Sequence, residues 1–119
     1  MITAHPNHAL ISSEDVEGTS VFNRPGEKIG EIDHLMINKV SGHVTYAVMS
    51  FGGFLTLGHS HYPIPWSALT YNPKLEGYET DITESQLKDA PEFSDDSWES
   101  RDWEKRVHDH YNMPPYWGI

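Results

Sequence analysis

Two prolines in alternation, Pro63 and Pro65, interrupt a run from His61 to Trp66 that otherwise reads as extended chain. Each lacks a backbone N–H, so this piece can serve only as a sheet edge or a strand end. Its neighbours are short and strand-like too. Ser20–Asn23 runs into Asn-Arg-Pro-Gly, where Pro25 presets φ and Gly26 permits positive φ. From Ile29 to Met36 the alternation is imperfect, which predicts a bulge or a strand covered on both faces. Ser41-Gly42 makes the next turn, and Val44–Phe51 is a β-branched and aromatic strand. Gly52-Gly53, between Phe51 and Phe54, predicts a hairpin, with Phe54–Leu57 continuing beyond it. A last hairpin joins Leu69–Tyr71 to Tyr78–Thr80. Six short strands joined by tight turns make a meander, which hides its edges best by closing into a barrel.

The rest reads as helix. Thr83 and Gln86 form a capping-box pair for a helix over Glu84–Ala90, stopped by Pro91. Asp96 and Glu99 are a second such pair, opening a helix from about Ser97 to Tyr111. In it Trp103, Val107 and Tyr111 share one face at i, i+4, i+8. The expected organisation is an N-terminal arm over 1–13, a barrel domain over 14–82 and a C-terminal helical extension over 83–119.

Charge narrows the function. Eighteen acids against eight bases give a formal net charge of −10 over 119 residues. Such a surface repels phosphate backbones and anionic membranes, so nucleic-acid binding is not expected. No cysteine is present, which excludes disulfides, thiolate metal sites and thiol catalysis and fits a cytoplasmic setting. No apolar run approaches the roughly 18 residues of a spanning helix, so no membrane insertion is expected.

Three stretches resemble a known family. They are Gly18-Thr19-Ser20-Val21-Phe22-Asn23 with Gly26-Glu27-Lys28-Ile29-Gly30-Glu31-Ile32; Ser41-Gly42-His43-Val44-Thr45-Tyr46-Ala47-Val48; and Pro63-Ile64-Pro65-Trp66-Ser67-Ala68-Leu69. Together, over about Ser13–Thr80, they resemble PRC-barrel domains. The family includes the cytoplasmic domain of the photosynthetic reaction-centre H subunit and the C-terminal domain of a ribosome-maturation factor. The likeness here is to stand-alone bacterial members with an aromatic C-terminal extension, like Trp98–Trp117. It implies a mainly β fold, a six-stranded barrel with a helical extension, acting as a docking or assembly module without catalytic residues.

Candidate sites are few. On extended chain, residues two apart face the same way, so His59 and His61 could reach one metal ion. A third ligand, from Asp33, His34 or an N-terminal histidine, would be required. His108 and His110 lie about 200° apart on a helix and cannot share a ligand sphere. His5 and His8 lack a rigid frame. Asp95-Asp96 and Glu14-Asp15 sit where acids complement a helix dipole. No nucleophile elbow and no Gly-rich phosphate loop occurs, and Gly52-Gly53 opens no helix. The aromatic set Trp98, Trp103, Tyr111, Tyr116 and Trp117 is the strongest feature: it covers an open end of the barrel or docks on another chain, since Trp and Tyr dominate interface energetics. The expected function is non-catalytic protein docking, as a homodimer, with no cofactor. The alternative is a metal- or small-ligand-binding barrel using His59 and His61. Trp66, aimed by the fixed torsions of Pro65, is expected to be buried.

Overall fold

The computed structural model describes residues 9–51 and 61–118. A four-residue helix, α1 (Ser13–Val16), precedes six strands: β1 (Ser20–Phe22), β2 (Lys28–Ile37), β3 (Val44–Ser50), β4 (His61–Pro65), β5 (Thr70–Asn72) and β6 (Gly77–Glu79). Helix α2 (Glu84–Lys88), a 3₁₀ segment over Asp95–Glu99 and helix α3 (Arg101–His110) follow. The expected Gly52-Gly53 hairpin and Phe54–Leu57 lie outside the described residues.

The strands form one sheet in the order β4-β3-β2-β1-β6-β5. β1 to β4 pair antiparallel in sequence, as a meander should, and so do β5 and β6. The meander expectation fails at one place: β6 returns to β1 in parallel. The reason lies after Pro65, where the chain makes a 3₁₀ turn at Trp66–Ala68 instead of a hairpin.

The sheet is rolled. Flat, five strand spacings of about 4.8 Å would hold β4 and β5 roughly 24 Å apart. The five residue steps from Pro65 to Thr70 span at most about 18 Å, and include a helical turn. The Trp66 ring accordingly lies 5.3 Å from that of Tyr78 in β6. No backbone pairing joins β4 to β5 among the described residues, so the roll is an open sheet there and not a hydrogen-bonded closed barrel. Trp66 is half-buried, not buried as expected, because its turn sits at this seam and leaves part of the ring uncovered.

The expected irregularity in β2 is real. Ile32 pairs with Met49 and His34 with Val48, so Asp33 is the extra residue of a bulge. Gly30 is required nearby, since a Cβ there would collide with the Ser50 carbonyl of β3. Gly77 is similar: a Cβ would stand 2.6 Å from the Ser20 carbonyl where β6 meets β1. β4 is an edge strand, as its prolines demand. Pro63 and Pro65 sit opposite Val48 and Tyr46, at positions where no ladder donor is needed.

One core runs through the molecule. Val21, Ile32, Ala47, Met49 and Ile64 are at most 1% exposed and join Leu87, Trp103, Val107 and Tyr111 from the helices. Strand β3 is buried at both parities, Ala47 and Met49 toward the paired Ile64 and Ile32, Tyr46 toward the C-terminal segment. Thr83 and Gln86 form the expected capping box on α2, which ends at Lys88 instead of Ala90. The single helix expected from Ser97 to Tyr111 is instead two pieces. Ser94 and Ser97 cap the first, and Ser100 breaks the run to cap α3, accepting from the Trp103 N–H at 3.1 Å.

Candidate functional site

Where α3 crosses β3, a polar cluster is sealed inside an aromatic shell. Tyr46 projects from the centre of β3 and is 1% exposed. Its hydroxyl donates to Glu104 Oε1 at 2.8 Å and lies 3.0 Å from His108 Nε2. Glu104 and His108 are one helical turn apart, so one face of α3 presents both. Each is buried, at 7% and 2% exposure. Tyr116, beyond the end of α3, donates to the same Glu104 oxygen at 2.7 Å. Arg101, one turn before Glu104, pairs with its other oxygen at 3.5 Å and stacks 4.0 Å above the Trp117 ring.

The hydrogen-bond order assigns the protons. Glu104 receives both tyrosine hydroxyls, so the single Tyr46 proton is engaged. The Tyr46 oxygen is then free to accept from a proton on His108 Nε2. His108 Nδ1 is buried beside the backbone of Met113 and Pro114 without a hydrogen bond of good geometry. Burial and the Glu104 carboxylate push the Tyr46 hydroxyl far above its ordinary value, and Tyr116 to about 12 by the same causes. Both stay protonated donors. Burial holds His108 below its ordinary value, against the opposing pull of the Pro114 backbone, Glu104, the Met113 backbone and Asp109. Trp98 and Tyr116 close over Tyr46 with ring centroids at 5.2 and 5.8 Å.

The sequence candidates fall into three groups. Trp103 and Tyr111 are each 3% exposed and belong to the chain's own core, so neither ring offers surface to a partner. The Trp103 indole donates to the Glu92 carbonyl at 2.9 Å, and burial pushes the Tyr111 hydroxyl up. Trp98 and Trp117 are half-buried and Tyr116 is 39% exposed; Arg101 lies over the rings of Tyr116 and Trp117, and Trp98 packs on Tyr46. His59 lies outside the described residues. His61 Nε2 stands 3.8 Å from Asp33 Oδ1, while His34 Nδ1 lies 2.7 Å from Asp33 Oδ2, and the His34 hydrogen bond lowers the Asp33 carboxyl. Among the described residues, no group of three His, Asp or Glu side chains is arranged to hold a metal ion.

His108 and His110 face different partners, Tyr46 for the first and the Gln86 carbonyl at 2.6 Å for the second. Glu14 and Asp15 occupy the first turn of α1, and Asp95 and Asp96 that of the 3₁₀ segment. The partnership of Tyr46 with Glu104 and His108 was missed from sequence. The signal was the pair Glu104–His108 at i, i+4, lying directly beside the apolar stripe Trp103–Val107–Tyr111.

Clefts among the described residues lie apart from this cluster. One, of about 510 Å³, opens between the β1–β2 turn and the start of α2, bridged by an Arg24–Asp81 ion pair. Another, of about 200 Å³, is floored by Leu87, Trp103 and Val107 beside the β4 edge. No helix among the described residues is long and apolar enough to cross a membrane.

A rolled six-stranded sheet with a bulged β2, a proline edge and a helical cover is the frame of a small β domain. The family model of the PRC-barrel domain matches residues 9–87, and the chain belongs to that family. No curated protein matches it. The aromatic and polar cluster draws Tyr46 from the matched region, while Glu104, His108, Tyr116 and Arg101 come from the segment beyond it.

Proposed function

We propose that the chain is a non-catalytic docking module that associates with a second copy of itself. PRC-barrel domains are in general modules of protein interaction and assembly. One observation carries the reading here: the segment beyond the matched domain leaves Trp98 partly exposed, and Tyr116 and Trp117 partly exposed under Arg101, while its polar groups bind one another. Trp, Tyr and Arg are the residues that dominate interface energetics. A cluster whose hydroxyls and carboxylate are already paired has little left to offer a substrate.

Net charge opposes two such chains meeting. Acidification from about pH 7.5 to 5.5 reduces the net negative charge of a chain that stands at a formal −10, which relieves self-repulsion. Sedimentation velocity at the two pH values, with and without EDTA, tests the reading. Association should strengthen at pH 5.5, strengthen with moderate salt at pH 7.5, ignore the chelator and weaken in Trp98→Ala. A monomer under every condition overturns self-association. Dissociation by both acid and EDTA instead supports a metal-bridged assembly through His59 and His61, because protonated imidazole cannot ligate.

A further inference from the structure

The chain end doubles back on the helix that precedes it. Asn112 takes a left-handed conformation (φ 57), and the Met113 N–H returns to the His108 carbonyl at 2.9 Å. Residues 114–118 then run back beside α3, so that Tyr116 reaches Glu104 and Trp117 reaches Arg101. Pro114 and Pro115 have no N–H to give. Among the described residues, the one backbone hydrogen bond of this segment is its own turn, from the Gly118 N–H to the Pro115 carbonyl. Side-chain contacts hold it down, including that of the His108 ring with the Pro114 backbone, and beneath it lie Tyr46 and His108, with ring centroids 5.8 and 6.0 Å from Tyr116.

We propose that residues 114–118 are a releasable strap, shut at neutral pH and opened when His108 takes up a proton, so that acid uncovers the Tyr46 face and frees Tyr116 and Trp117. The inference rests on the docking reading only for its purpose: the strap would then regulate that surface. The groups facing His108 decide the sign. From β3 comes the Tyr46 hydroxyl, and from α3 itself come Glu104 and Asp109. From the strap side come the rings of Tyr116 and Trp117 and the backbone of Met113 and Pro114. The backbone of Pro114 and Met113 and the two carboxylates favour an imidazolium, but burial outweighs them and holds His108 below its ordinary value. Releasing the Tyr116 and Trp117 rings hydrates the imidazole, and a proton disfavoured by burial then favours the open form. One proton can shift the open-to-shut ratio by up to about tenfold between pH 6.5 and 5.5.

NMR of the full chain reads the strap and the proton separately. The indole signal of Trp117 reports the strap, with a synthetic peptide of residues 114–119 as the open reference. The imidazole C–H signals report His108. Toward pH 5.5 the Trp117 signal should move toward the peptide value in step with His108, while Trp103, in the core, stays put. Tyr116→Phe keeps the ring and loses the bond to Glu104, so it should open severalfold more at pH 7.5. His108→Gln should abolish the pH response. A Trp117 signal that ignores pH, or the same pH response in His108→Gln, overturns the proposal. So does movement of Trp103 together with Trp117, which reports global unfolding. Sedimentation on the same samples separates the two readings. Opening without association supports the strap and overturns docking, whereas association with the strap shut at both pH values overturns the strap alone.

Discussion

Ile32 in β2 and Glu104 in α3 are both buried, and they are held by different physics. Ile32 shares its core with Val21, Met49 and Ile64, where the gain is apolar area removed from water. That gain has no direction and no dependence on pH. Glu104 is surrounded by two hydroxyls and a guanidinium, each placed within 3.5 Å. Its burial is tolerable only while those partners stay in position, since a buried carboxylate that loses them is costly. The sheet is therefore the frame that tolerates change of solvent, and the C-terminal layer is the part that answers to it.

The largest effect should come from the joint between the two regions. Trp103 packs against Phe93 and Trp98 at 5.7 and 5.2 Å, within the shared core. Trp103→Ala should lose about 3–5 kcal/mol in urea denaturation, as a single displaced transition. Two transitions would show that the sheet stands without its cover, which sharpens the contrast. A loss under about 1 kcal/mol would break it, because the layer would then contribute little to the core.

Within the sheet alone, Gly30→Ala should cost about 1–3 kcal/mol by forcing a methyl into the Ser50 carbonyl. Circular dichroism and urea melts measure it, and the Trp117 signal should stay unchanged. An unaffected midpoint would mean that β2 and β3 have room to part. Within the layer, Glu104→Gln should cost a similar or smaller amount, about 1–3 kcal/mol. It should also move the Trp117 signal toward the open-strap value at pH 7.5, which Gly30→Ala should not do. If both variants disturb the strap equally, the division into two regions is wrong.

The smallest effect is the pH dependence of stability. His108 is held below its ordinary value in the folded chain, so below about pH 6.5 the unfolded chain binds more protons. Its contribution is complete above about pH 6.5 and is lost as pH falls toward the depressed folded value. The slope from one proton is at most about 1.4 kcal/mol per pH unit. Comparing urea midpoints of the native chain and His108→Gln between pH 7 and 5 isolates it. Equal slopes in the two would place the titration elsewhere.

Local chemistry was sufficient wherever neighbours in sequence do the work. Pro63 and Pro65 placed β4 at an edge, broken alternation announced the bulge at Asp33, and Thr83 with Gln86 capped α2. Each depends on torsions or hydrogen bonds spanning a few residues. The family resemblance rested on the same local runs, and the matched region of 9–87 contains them.

Tertiary structure decided the rest. The parallel return of β6 to β1 and the open seam between β4 and β5 depend on how far one 3₁₀ turn carries the chain across the roll. No residue of that turn encodes the distance. Tyr46 meets Glu104 and His108 across separations of 58 and 62 residues. A histidine on a helix reads alike whether it faces water or a tyrosine. Only the packing of α3 over β3 buried His108 against Tyr46 and disfavoured its charge, because desolvation is a property of what surrounds a side chain and not of its own sequence.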